Sequence, residues 1–332
     1  MKHLVLVLLT LLALPTTALA QNPEPVSGWQ QIMTAIAPPA RYDHVLIAAS
    51  DLNRLVLFGG RDGTEFSDTW IFDLETQTWR EVISEPTPSP RFGMGAAYDA
   101  ERQRVLVFGG QGDRLFNDTW AFDLASESWS LLPVTGAIPG IRYGTSAVID
   151  SDADQLIISH GFAAGRYDDT FALDLATNTW ADVSPEDRPF KRCLHDAAFD
   201  PLTRQMLLFG GCSSPTGPCP QGDFWSFQAG QWTEIAPTGD KPAPRLNPAL
   251  IVDNQSRVWL IGGNTDSGYS DDLWQFDLTL GAWTALKSDT APAPRASHDA
   301  LWHNGQIILF GGQGSNGALS DLWIYTPVGF KN

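Results

Sequence analysis

Arginines at two kinds of position dominate the chemistry available to this 332-residue chain. Arg61, Arg114 and Arg166 stand in segments of unlike sequence, where no repetition demands a cation. Guanidinium groups grip carboxylates in a bidentate fork, so these three predict a rim that receives an anionic ligand, a carboxylate or an acidic sugar. The alternative is local pairing with Asp62, Asp113 or Asp168, which would cancel the field. Six more arginines, Arg41, Arg91, Arg142, Arg192, Arg245 and Arg295, each head a similar segment. They either face the same opening or pair with a repeated Asp or a main-chain carbonyl, and a residue required in every copy favours pairing.

Other reactive side chains are sparse. Glu65 and Asp113 are the carboxylates to test for acid–base work. His44, His195 and His298 recur at one place in their segments, where structural hydrogen bonding is the expectation and convergence on a metal the alternative. No zinc or calcium signature appears, and Asp150-Ser151-Asp152-Ala153-Asp154 reads as solvated charge in a turn. Of the 3 Cys, Cys212 and Cys219 share one loop and are expected to be bridged, leaving Cys193 free; the rival pairing is Cys193 with Cys212.

The elements that position these residues follow from an internal repeat. The six strand-initial arginines are spaced by 50, 51, 50, 53 and 50 residues. After each comes an apolar run, a polar turn and a second apolar run. That second run ends in Gly59-Gly60, Gly109-Gly110, Gly210-Gly211, Gly262-Gly263 or Gly311-Gly312, with His160-Gly161 in the third copy. An Asp-x-aromatic segment follows, as in Asp68-Thr69-Trp70, and then a further Trp at 79, 129, 180, 232 and 283. Short β-branched and aromatic runs bounded by Gly, Asp and Asn are antiparallel strands, four per repeat, here named a to d. A unit apolar on both faces is stable only when stacked on its neighbours around an axis.

The diglycine after strand b, the Asp-x-Trp opening strand c and the Trp opening strand d resemble the kelch motif. The resemblance covers essentially the whole chain and implies an all-β fold, a six-bladed kelch β-propeller with four antiparallel strands per blade. The sixth copy ends without its strand d Trp, whereas Gly28-Trp29-Gln30-Gln31-Ile32 is an orphan lying 12 residues before Arg41, the spacing of Trp79 to Arg91. Strand 28–33 is therefore expected to complete blade six within a single domain of residues 21–332. Galactose oxidase shares the kelch resemblance, but its Tyr-His copper chemistry has no matching dipeptide here. Periplasmic sialic acid mutarotases offer an analogy of fold and compartment without a matched catalytic residue.

Residues 1–20, Met1-Lys2-His3 followed by an apolar run and Ala18-Leu19-Ala20, read as a cleaved signal peptide, so the chain is expected to be secreted or periplasmic, an exported bacterial-type member of its family. The run is too short for a bilayer, which needs roughly 20 apolar residues, so no membrane insertion is expected. A net charge of −17 argues against nucleic acid. The expected protein is a monomeric module without a cofactor. It binds a protein, or an anionic small molecule or glycan, at the mouth where strands a begin and the b-to-c loops cluster. The alternative is a carbohydrate-active enzyme such as a sugar mutarotase or epimerase.

Overall fold

The computed structural model describes residues 27–328, and the expected signal peptide lies outside them. Six four-strand blades follow one another. Blade one is Val45–Ala49, Arg54–Phe58, Thr69–Asp73 and Thr78–Val82, in the order a-b-c-d with antiparallel neighbours. Blade six takes its strand d from the other end of the chain: Gly28–Ile32 pairs antiparallel with Leu322–Thr326, Trp29 opposite Tyr325. Closure by the N-terminal strand is thus as the count of tryptophans requires, and it covers the edge of Leu322–Thr326, leaving blade six with a strand d at the rim like the other blades.

Burial explains why the strands read so differently in sequence. Strand b is covered on both faces by neighbouring blades, so Leu55, Val56, Leu57 and Phe58 are all buried. Strand d lies at the rim, and in Thr78–Val82 only Trp79 and Val82 turn inward. The cores lie between blades rather than within them. Val45, Val56, Phe58 and Ile71 of blade one pack against Met94, Val105, Phe122 and Trp129 of blade two.

The diglycines have a steric cause. Gly59 and Gly60 have φ of 66° and 92°, and a Cβ on Gly59 would stand 2.7 Å from the carbonyl oxygen of Arg91 in the next blade. Gly60 N–H donates to that same carbonyl at 2.9 Å. The glycines therefore let one blade receive the strand-initial Arg of the next.

Blade three departs from the pattern. Its strands b and c extend to Gln155–Phe162 and Arg166–Asp174, with a bulge at His160, so its b-to-c connection is a tight hairpin and Arg166 is a strand residue. It also gains a fifth strand, Thr135–Gly136, parallel to Thr179–Asp182.

Candidate functional site

Each strand-initial Arg is buried and fully engaged inside its own blade. Arg41 donates to both oxygens of Asp68 at 2.6 and 2.7 Å, to Gly59 O at 2.9 Å and to Pro39 O at 3.0 Å. Arg91, Arg142, Arg192, Arg245 and Arg295 repeat the fork on Asp118, Asp169, Asp223, Asp272 and Asp321. The Asp-x-Trp motif belongs to this unit, because Trp70 Nε1 donates to Asp68 Oδ2 at 2.7 Å. Phe66, Phe116 and Tyr167 complete it, lying 4.2, 3.9 and 4.1 Å from the guanidinium carbons of Arg41, Arg91 and Arg142. These six arginines are struts beneath the mouth, unavailable to a ligand, as pairing with a repeated Asp requires.

The three loop arginines have three different fates. Arg61 reaches the central channel, bonded to Asp43 at 3.0 Å and stacked on Phe92 at 3.8 Å and Tyr42 at 4.9 Å. Arg114 is exposed, its guanidinium 5.2 Å from the Phe116 ring, and has no carboxylate partner among the described residues. Arg166 turns away to the cysteine loop, donating to Cys212 O at 2.7 Å, to Ser214 O, and to Cys212 Sγ at 3.3 Å. None pairs with Asp62, Asp113 or Asp168, and Asp168 lies instead 3.4 Å from Arg188.

Behind Arg61 a cavity of about 390 Å³ opens between the strand a starts, lined by Tyr42, Asp43, Tyr143, Asn247, Ser297 and Gln313 among others. Burial raises the Asp43 carboxyl while Arg61 pulls it down. Deeper in, Asp196 accepts from the backbone N–H of Leu250 in the next blade at 2.8 Å, and Asp299 from that of Leu46 at 2.7 Å. Burial pushes Asp196 up to about 8 and Asp299 up to about 7, with Asp299 adding to the shift of Asp196. Glu65 and Asp113 sit exposed on the rim, outside this cavity.

The histidines do not converge. The His298 ring packs under the diglycine of blade five, its Cε1 2.9 Å from where a Cβ on Gly262 would be. The nitrogens of His195 and His298 carry no hydrogen bond within the protein, which corrects the expectation of a bonding role at these two, where the ring is a packing wedge between blades. No group of three or more metal-ligating side chains occurs among the described residues. Cys212 and Cys219 are bridged and Cys193 is free and buried. Asp150 and Asp154 are ion-paired to Arg204 and Arg102, both at 2.8 Å, so the acidic turn is a pairing site rather than free charge.

This geometry agrees with the comparison of sequences. The family model described as the KLHDC2/KLHL20/DRC7 Kelch-repeats domain matches residues 26–211 and 198–331. The chain belongs to the Kelch-repeat family. Among curated proteins it is similar to Kelch domain-containing protein 3 of Homo sapiens, 27% identical over 209 residues, 58% of this chain and 53% of that one. It also resembles Tip elongation aberrant protein 3 of Schizosaccharomyces pombe, 26% identical over 155 residues, 36% of this chain and 14% of the relative. The flagellar outer arm dynein alpha chain of Chlamydomonas reinhardtii is 27% identical over 135 residues, 38% of this chain and 3% of the relative. The chain thus spans about half or less of the length of these relatives. All three are eukaryotic, so the bacterial-type assignment made from residues 1–20 finds no counterpart among them.

Asp43, Asp196 and Asp299 are the channel residues that sequence reasoning passed over. A signal existed for two of them: Asp follows His in His195-Asp196 and His298-Asp299, at a position that holds Val45, Gly95, Ser146 and Ala249 in the other Kelch repeats.

Proposed function

We propose that this Kelch propeller is a binding module that docks a protein at the mouth where strands a begin, with Arg61 and Arg114 meeting an anionic group of that partner. The observation that carries this is Arg61 itself. It is the one cation of the three that enters the channel cavity, and stacking between Phe92 and Tyr42 fixes its orientation before any ligand arrives. Kelch propellers are in general protein-interaction modules, and the rigid ring presents variable loops in the manner such surfaces require. Arg166 drops out of the contact set, since its donors hold the loop of Cys212.

The proposal includes an exported protein, supported by the leader-like residues 1–20, and extends to a monomer; N-terminal sequencing of material recovered outside the cytoplasm tests the first point and size-exclusion chromatography the second. The sugar mutarotase alternative draws on the channel carboxylates Asp43, Asp196 and Asp299, which burial raises. Its two named rim carboxylates, Glu65 and Asp113, lie exposed outside the channel cavity.

Partner capture by the full chain, followed by affinity measurement on the double variant Arg61→Ala, Arg114→Ala at several salt concentrations, tests the docking face. Affinity should fall at least tenfold and lose much of its salt dependence, with melting unchanged within a few degrees. Unaltered affinity would remove the mouth from the account.

A further inference from the structure

The other end of the channel carries a pattern that the mouth does not explain. At the seventh residue after each strand-initial Arg, blades two, four and six place Tyr98, Phe199 and Trp302, whereas blades one, three and five place Ala48, Ile149 and Val252. Aromatic and aliphatic side chains therefore alternate around the ring. All six positions are half-exposed, although the next residue in every blade is buried, from Ala49 to His303. Strand a is the innermost strand, so half-exposure at this register means a view into the channel. Tyr98, Ile149, Phe199, Val252 and Trp302 line one cavity of about 530 Å³ at the a-to-b turns, within the range of ligand sites.

The charges around this cavity select a sign. The carboxylates of Asp51, Asp150, Asp152 and Asp253 stand at or beside it, against the cations Arg204 and Arg257. Arg204 is held by Asp150 at 2.8 Å and Asp152 at 3.6 Å, and Arg257 by Asp253 at 2.7 Å, so carboxylates outnumber the cations at this end. Tyr98 O–H donates to Asp51 at 2.7 Å, which orients the ring and pushes electron density into its π-face. Trp302 is stacked on Trp259 with centroids 5.9 Å apart, which fixes its plane. Three aromatic rings at one cavity, two of them held in place by these contacts, under an excess of carboxylate suit a cation too weakly hydrated to stay in water.

We propose that this end of the channel is a second binding site, distinct from the mouth, for a methylated ammonium group, either a free choline-type head or a trimethylated lysine side chain. The rings of Tyr98, Phe199 and Trp302 attract the diffuse positive charge, while Ile149 and Val252 cover the methyl groups. The inference is independent of the docking surface around Arg61.

The test titrates the full chain with choline and, separately, with a short peptide bearing trimethyllysine, following tryptophan fluorescence. The neutral control is 3,3-dimethylbutanol, which has the shape of choline without the charge. At least one cation should bind with a Kd below about 1 mM, and at least tenfold more tightly than the neutral isostere. Which cation binds decides between the two sources. Trp302→Leu and Phe199→Leu, two variants so that one folding failure does not end the test, should each weaken binding at least fivefold. Arg61→Ala should leave it unchanged. Equal affinity for the isostere would reduce the cavity to a hydrophobic pocket and overturn the proposal, as would absence of binding by either cation up to about 10 mM in protein that melts cooperatively.

Discussion

Arg41 and Asp68 meet fork to fork across 27 residues of sequence, Nη1 on Oδ1 at 2.6 Å and Nη2 on Oδ2 at 2.7 Å, with the Arg fully buried. The same pair occurs in every blade and ties the start of strand a to the start of strand c. Because the diglycine carbonyl and Trp70 share in it, the pair organises the whole base of the mouth.

Breaking one fork should be severe. Asp68→Ala strands a buried guanidinium, and such losses run to about 3 to 5 kcal/mol, whereas exposed pairs contribute under about 1 kcal/mol. Urea denaturation should show the large effect for Asp68→Ala and a small one for the rim variant Glu127→Ala, whose partner Arg80 is half-exposed. Equal small effects in both would remove the strut role.

The buried pair of imidazoles between blades three and four should make the propeller acid-sensitive. His160 occupies the place of the first glycine, with φ of 57°, and its ring lies 5.4 Å from that of His195. Burial is the main cause that lowers both, helped for His160 by His195 and for His195 by Arg192, and His195 falls to about 3. An unfolded His titrates near 6.5, so the unfolded chain takes up protons first and stability is lost as pH falls from about 6.5 toward about 3. In His160→Gly, which restores the diglycine, the slope of melting temperature against pH over that window should be shallower. An identical slope would mean that the pair does not titrate.

The channel carboxylates act in the opposite direction. Burial raises Asp196 to about 8 and Asp299 to about 7, whereas an unfolded Asp titrates near 3.9. The folded state therefore holds protons that the unfolded chain gives up, and this contribution falls as pH rises from about 4 to about 8. Asp196→Asn, which keeps one acceptor for the backbone of blade five, should flatten the decline on the alkaline side of pH 6.5, where the histidines are silent. Parallel curves for variant and parent would refute the burial argument.

Closure should be the weak point of the ring. Trp29 is buried against Tyr325, their centroids 5.2 Å apart, and packs in the cluster shared by blades five and six. Deleting residues 21–33 uncovers the edge of Leu322–Thr326 and should cause aggregation or a large fall in melting temperature. Trp29→Ala should cost about 3 to 5 kcal/mol. A truncated chain that melts as the parent does would show that the strand is dispensable.

The sequence by itself determined the number of blades, the four strands of each, and the completion of blade six by Trp29. All of these rest on local signals repeated about every 50 residues. It also placed a strut at each strand-initial Arg, because a residue kept in every copy answers a need that every copy has. Tertiary structure alone decided which single-copy residues meet. Arg166 leaves the mouth because blade three has a tight hairpin, where blades one and two carry loops. Asp43 finds Arg61, and Asp196 and Asp299 become buried in a shared channel, though they lie on strands far apart in sequence. Tyr98, Phe199 and Trp302 look unrelated along the chain and face one cavity only once the ring has closed. Repetition fixes what each blade does to its neighbour, but the channel is made by all six blades at once, and its chemistry depends on residues that the repeat leaves free to vary.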